Sequence, residues 1–144
     1  MKRFLACVLC LLMLIPSANA QDSMEHRVAA LADDVLAYCL QEAQAPTVQS
    51  WIDGALAEQA GVGAEWFVIT LSQRGEYDFS AYAAGLREYL AQTAVPSASS
   101  RQKYALALIA AGAEDPWIAA TAADSIGQQG VMSWIYGILS ATSF

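Results

Sequence analysis

The sequence predicts an all-α protein built as an array of helical hairpins, and three observations support this prediction. Residues 21–144 contain 26 Ala, whereas Val, Ile and Thr are sparse, a composition that favours helix over sheet. Apolar residues recur at helical spacing along the chain. From residue 64 onward, helices that are apolar all round alternate with helices that have one apolar face, which is typical of layered helical repeats.

Residues 1–20 have the features of a secretory signal peptide. Lys2 and Arg3 supply the positive charge, 12 apolar residues follow, and Ala18-Asn19-Ala20 matches a small-x-small cleavage site. Twelve apolar residues are too few to span a bilayer, which needs about 20. We therefore expect cleavage after Ala20, a secreted or cell-surface location, and no stable membrane anchor afterwards. Residues 21–144 then form one repeat domain of about three and a half hairpins.

The first two predicted helices each have a single apolar stripe. In the first, the stripe consists of Val28, Leu31, Ala32, Val35, Leu36, Cys39, Leu40 and Ala43, at the spacing of an amphipathic helix. Thr47 can cap the second helix, whose stripe is formed by Val48, Trp51, Ile52, Ala55 and Leu56. Gly61 and Gly63 end this segment, so we expect a hairpin here.

The third predicted helix, residues 64–74, has almost no polar face and must be enclosed by neighbours. The fourth helix, capped by Asp78 or Ser80, is one-sided again. After a predicted loop at residues 95–100, residues 104–111 form a second enclosed helix that stops at Gly112. Asp115 and Pro116 begin a one-sided helix, and residues 127–130 separate it from a third all-apolar segment, residues 131–139.

The repeat period is 37 residues when Gly75 is superposed on Gly112, which places Phe67 over Tyr104. A period near 35 with two helices per unit indicates an array in which each hairpin buries the face of its neighbour. If the apolar helices form an inner layer, the array either curves into an open solenoid or closes into a ring. Periodicity alone leaves both arrangements open.

Charge and chemistry exclude several functions. Without residues 1–20, five basic residues remain against 14 acidic ones, which disfavours nucleic-acid binding because phosphates must be neutralised by Lys and Arg. Only Cys39 remains, so neither an intramolecular disulfide nor a Cys-based metal site is expected. His26 is the only imidazole, and Ser133 lacks the Gly-x-Ser-x-Gly context of a hydrolase nucleophile. We predict no catalytic, cofactor-binding or metal-binding residue.

Three segments carry a family resemblance: EWFVITLSQRG (65–75), RQKYALALIAAGAEDP (101–116) and IGQQGVMSWIYG (126–137). Together they resemble consecutive repeats of the α/α-toroid superfamily, which includes terpenoid cyclases and protein prenyltransferases. The resemblance covers roughly residues 60–140 and is strongest to secreted bacterial proteins with prenyltransferase- and squalene-oxidase-like repeats. It implies an α/α toroid-like fold, partial or open, because such rings close with more hairpins than this chain supplies.

The catalytic sets of that superfamily do not carry over to this chain. The acid motif Asp-x-Asp-Asp is absent, and His26 and Cys39 lie outside the matching segments, so no zinc triad is present. Gln128-Gln129-Gly130 followed by Trp134 partly resembles the Gln-Trp signature of the cyclases. In that family the signature ties helix ends together, which is a structural role.

The predicted function is therefore an exported, non-catalytic repeat domain that binds a ligand or partner, or that forms part of a larger surface protein. The alternative is a fragment of a cyclase- or prenyltransferase-like enzyme whose catalytic residues lie outside this chain. In a toroid the apolar helices line the central cavity, and the candidate lining residues are Trp66, Phe67, Tyr104, Trp134 and Tyr136. Plain core packing is the competing interpretation of these aromatics. The expected partner is an apolar small molecule or a protein that covers the last helix.

Overall fold

The computed structural model describes residues 24–128 and 130–142, which form helices and connecting turns with no β-strand in those ranges. The prediction of an all-α protein is confirmed. The chain divides into two compact units, residues 1–44 and residues 45–144, which are described separately. The predicted signal segment and its cleavage site after Ala20 lie outside the described residues.

Helix α1, residues 24–42, is the described part of the first unit. The predicted helix is confirmed, but Val28, Leu31 and Val35 of its apolar stripe are exposed. His26 is exposed as well, and Cys39 is a half-buried free thiol. The helix gives way to a turn at Gln44, whose φ of 52° lies in the left-handed region.

The second unit contains six helices within its described residues. Helix α2 starts as Val48–Trp51 and continues through a π-helical segment, Ile52–Leu56. The remaining helices are α3 (Glu65–Ser72), α4 (Ser80–Gln92), α5 (Ala98–Ala110), α6 (Pro116–Ser125) and α7 (Gly130–Thr142). Helix α5 occupies the centre, because it packs against α3, α4, α6 and α7.

The predicted helix caps are formed by side-chain oxygens that accept hydrogen bonds from otherwise unpaired backbone N–H groups. Thr47 Oγ1 accepts from the Ser50 N–H at 3.1 Å, and Ser50 Oγ accepts from the Thr47 N–H, which completes a capping box. Asp115 Oδ1 accepts from the Trp117 N–H at 2.9 Å. At α4 the acceptor is Asp78 Oδ1, bonded to the Ser80 N–H at 2.8 Å, so Asp78 takes the capping role.

Two expectations about helix ends are wrong. The predicted loop at residues 95–100 ends early, because Ser97 Oγ accepts from the Ser100 N–H and α5 already begins at Ala98. Gly112 does end α5, with a left-handed φ of 66°, whereas α3 ends at Ser72, three residues before Gly75. The superposition of Gly75 on Gly112 therefore aligns two different kinds of helix end.

The core lies between the helices of the second unit. Its largest fully buried apolar side chains are Ile52, Leu56, Val68, Tyr82, Leu86 and Leu108. Helices α2 and α4 pack closely at Gly85, where an added Cβ would lie 2.6 Å from the Ala57 carbonyl oxygen. A residue without a side chain is needed at this crossing.

Candidate binding surface

Helix α7 turns its small residues inward. Ser133, Gly137 and Ser140 are buried, and their spacing of four and three residues places them on one side of the helix. An added Cβ at Gly137 would lie 2.6 Å from Ile126 Cγ1. This close contact shows that the small side of α7 is the one seated on the rest of the unit.

The opposite side of α7 carries large apolar residues. Val131, Met132, Trp134, Ile135, Ile138 and Leu139 are between 43% and 69% exposed. At 100° per residue these positions cover about 160° of the helix circumference. The prediction that α7 is enclosed on all sides is therefore wrong for the described residues, because its neighbours α5 and α6 contact it through the side that carries the small residues.

Helix α3 extends this apolar surface. Trp66 is 47% and Phe67 41% exposed, so the prediction of an enclosed helix is also wrong for α3. The Trp66 and Tyr136 ring centroids are 5.7 Å apart, which joins α3 to α7, and Phe67 packs edge-on against Trp51 at 5.1 Å. We call the surface formed by the exposed residues of both helices and by Tyr136 the α3–α7 face. Its exposed members are Trp66, Phe67, Val131, Met132, Trp134, Ile135, Ile138 and Leu139.

The α3–α7 face can supply apolar contact and little else. Helix α7 contains no charged residue between Gly130 and Thr142. The eight exposed side chains are roughly half buried already, so covering them contributes on the order of 1 kcal/mol each. Apolar patches of this size on soluble proteins mark sites of interaction.

Four of the five candidate lining residues belong to the α3–α7 face. Trp66, Phe67 and Trp134 are exposed, and Tyr136 is half-buried against Trp66. Tyr104 is separate: it is buried, and its hydroxyl donates to the Gly61 carbonyl oxygen at 2.9 Å. For Tyr104, packing in the core describes the structure better than the lining of a cavity.

The sequence does not predict the exposure of Val131, Met132, Ile135, Ile138 and Leu139. Its apolar content alone predicts a helix that is apolar all round, which hides the difference between the two sides. The available signal was the spacing of Ser133, Gly137 and Ser140. Small residues at such intervals favour close helix packing and indicate which side of the helix faces inward.

A buried polar cluster lies behind this surface, at the turn between α2 and α3. Glu65 is fully buried, and its Oε1 accepts from the Gly61 N–H at 2.7 Å. Lys103 Nζ lies 2.9 Å from Glu65 Oε2, which has no other polar partner among the described residues, and 4.8 Å from the Tyr104 ring centroid. Tyr104 donates directly to the Gly61 carbonyl oxygen, and Lys103 pairs with Glu65, which accepts from the Gly61 N–H. Two residues of α5 therefore help to fix this turn.

Tyr82 and Gln102 add buried polar atoms to the same core. Both side chains are essentially inaccessible, and neither the Tyr82 hydroxyl nor the Gln102 amide has a hydrogen-bond partner among the described residues. Burial first, then the nearby charge of Glu65, raises the pKa of Tyr82 far above its usual range. Burial also raises the pKa of Tyr104.

A concave feature of the second unit lies between α4 and α6. It is an open groove of about 300 Å³ lined by Arg87, Leu90, Ala91, Asp115 and Trp117. Arg87 Nε donates to Asp115 Oδ2 at 2.7 Å, and Nη2 donates to the Glu114 carbonyl oxygen. Because its charged groups already satisfy each other and its volume is at the lower limit for ligand sites, the groove is a weaker candidate than the α3–α7 face.

Within the described ranges, no group of three or more His, Cys, Asp or Glu side chains could hold a metal ion. None of the helices in those ranges is long and apolar enough to cross a membrane. Comparisons with protein-family models, curated proteins and solved structures find no match to this chain.

Proposed function

We propose that this chain is an exported, non-catalytic helical domain that binds an apolar partner through its α3–α7 face. One observation carries the proposal: eight large apolar side chains on two neighbouring helices are between 41% and 69% exposed. Leaving these groups in water is unfavourable. A partner that covers them gains roughly 8 kcal/mol from burial, enough to offset much of the estimated 4–15 kcal/mol cost of association.

We further propose that the helices form part of an α/α toroid-like array, with α3, α5 and α7 in one layer. The packing of α5 against both α3 and α7 supports this order. So does the contact of Arg101 Nη2 with Gln128 Oε1 at 3.3 Å, which ties the start of α5 to the turn before α7. Trp134 lies close over Gly127 in the same turn. In such an array the α3–α7 face lies on the surface of the inner layer.

Binding of the neutral dye Nile red by the purified, dilute chain without its predicted signal segment (residues 21–144) tests the proposal. We expect Ile135→Glu to weaken dye binding about tenfold, because it places a charge in the middle of the face. The control is Ala84→Glu, which adds the same charge at an exposed position of α4 and should leave dye binding unchanged. Equal dye binding by the wild-type chain and Ile135→Glu, with helical circular dichroism intact, would refute the proposed site.

A further inference from the structure

We infer that the partner of the α3–α7 face is a second copy of this chain, paired through α7 in a two-fold symmetric dimer. The inference rests on the proposed function, since it names the occupant of the same face. The spacing of the exposed residues, their lack of charge and their area all support this pairing.

The exposed side of α7 has the spacing of a helix-pairing seam. Val131, Ile135 and Ile138 follow each other at intervals of four and three residues, and Thr142 continues the pattern four residues later. Met132, Trp134 and Leu139 flank this line on both sides. Alternating intervals of three and four residues are those at which two helices interlock their side chains.

The seam is complementary to itself. In paired helices, charged residues beside the seam select the partner and exclude others. The flanking positions of α7 are Met132, Trp134 and Leu139, none of which is charged, so nothing on the seam repels a second copy. Two-fold symmetric pairing of identical patches is the commonest form of association among soluble oligomers.

The area of the face matches a dimer interface. Half-exposed side chains of this size present about 100 Å² each, or roughly 800 Å² together, which is about one partner's share of a standard interface. An anionic membrane surface fits less well, because residues 21–144 carry 14 acidic residues against five basic ones and would be repelled by anionic lipids.

Sedimentation velocity of the chain without the predicted signal segment (residues 21–144), from about 1 to 100 μM in solutions with at least 0.15 M salt, tests the inference. Salt at that level limits repulsion between the acidic copies to about 8 Å. We expect a concentration-dependent shift from monomer to dimer. Ile135→Glu should raise the dissociation constant at least tenfold, roughly, because the change occurs twice in a symmetric interface, whereas Ala84→Glu should dimerise as the wild-type chain does.

Two results would overturn the inference, and they differ from failure of the proposed function. A chain that stays monomeric at 100 μM while it binds Nile red would keep the binding face but exclude a second copy as its occupant. A dimer that is unaffected by Ile135→Glu would place the contact elsewhere on the chain. If the monomer also binds no dye, the proposed function fails as well.

Discussion

Glu65 is the residue on which the turn between α2 and α3 depends. Its carboxylate is fully buried and is held by the Gly61 N–H and by Lys103. The Lys103 side chain keeps 23% exposure, whereas the Glu65 side chain has none. A buried carboxylate is tolerated only where such donors compensate for the lost hydration. The pair therefore specifies the position of this turn more than it adds net stability.

Glu65→Ala should destabilise the chain by about 2–3 kcal/mol, since it leaves the Gly61 N–H unpaired and Lys103 without its counter-ion. Glu65→Gln should cost less, because the amide oxygen can still accept the Gly61 hydrogen bond. Urea denaturation followed by circular dichroism measures both free energies of unfolding. An equal loss in the two variants would show that the acceptor role of Glu65 is unimportant.

Tyr82 and Tyr104 should respond in opposite ways to replacement by Phe. The Tyr104 hydroxyl donates to Gly61, so Tyr104→Phe should lower the free energy of unfolding by about 1 kcal/mol. The Tyr82 hydroxyl is buried without a partner among the described residues, so Tyr82→Phe should leave stability unchanged or raise it slightly. Each variant is the control for the other in one denaturation series. A larger loss for Tyr82→Phe would contradict the assignment.

Asp115 predicts a pH dependence of stability. Burial would raise the pKa of this carboxyl, but hydrogen bonds from Arg87 and the Trp117 N–H outweigh that effect and hold its pKa below the usual 3.8. A lowered folded-state pKa gives stability that is complete above the unfolded-state pKa and is lost as pH falls through the folded-state value. The Arg87 side chain is 44% exposed, so the ion pair contributes less than about 1 kcal/mol.

The variant Asp115→Asn separates the charge from the cap, because Asn also caps helices well. We expect it to be less stable than the wild-type chain at pH 7, with the difference shrinking as pH falls below 3.8. Asp115→Ala loses the cap too and should cost about 1 kcal/mol more at pH 7. Thermal unfolding at pH 7 and at a pH below 3.8 measures these differences. A constant gap between wild-type and Asp115→Asn would contradict the charge effect.

At the scale of elements, the crossing of α2 and α4 is set by a glycine on one side and a π-helical segment on the other. Gly85 faces the Ala57 carbonyl, which directly follows the π-helical Ile52–Leu56. Because a backbone atom occupies the space of the missing Cβ, the two helices can accept a side chain only by moving apart. Rotation of a flexible side chain would offer no relief here.

Gly85→Ala should therefore destabilise the chain by about 1–3 kcal/mol. Gly54 provides the matched control, since an added Cβ at this position meets nothing within 4 Å. Gly54→Ala should be neutral or stabilising by up to about 1 kcal/mol, as expected for Gly to Ala inside a helix. Chemical denaturation of both variants measures the contrast. Equal effects would show that the close approach at Gly85 is not a constraint.

The helices could be predicted from the sequence because their signals are local. Thr47, Asp115 and Pro116 act within one helical turn, and the periodicity of apolar residues reveals each segment separately. The early start of α5 is not evident from the sequence, because Ser97, Ser99 and Ser100 are equally good candidate caps. The exposed side of α7 was missed because apolar content does not reveal which side has neighbours, and that depends on tertiary packing with α5 and α6.

At the scale of the whole molecule, helix α7 of the second unit has an unusual orientation for a helix of a water-exposed protein. Small residues of α7 are seated on the unit and large apolar residues face outward. Composition and charge predicted an acidic all-α chain, but the α3–α7 face arises from contacts between segments about 70 residues apart, such as Trp66 with Tyr136. We propose that this face is exposed in the single chain and becomes covered on association.

Hydroxyl-radical footprinting with mass spectrometry tests that claim most directly, because it reports the accessibility of individual side chains. In dilute solution, Met132 and Trp134 should be oxidised quickly and the buried Trp51 slowly. As the chain concentration rises, Met132 and Trp134 should become protected, while Met24 of α1, which is 62% exposed, keeps its rate. Slow oxidation of Met132 and Trp134 in dilute solution, or oxidation at the same rapid rate at all concentrations, would contradict the account.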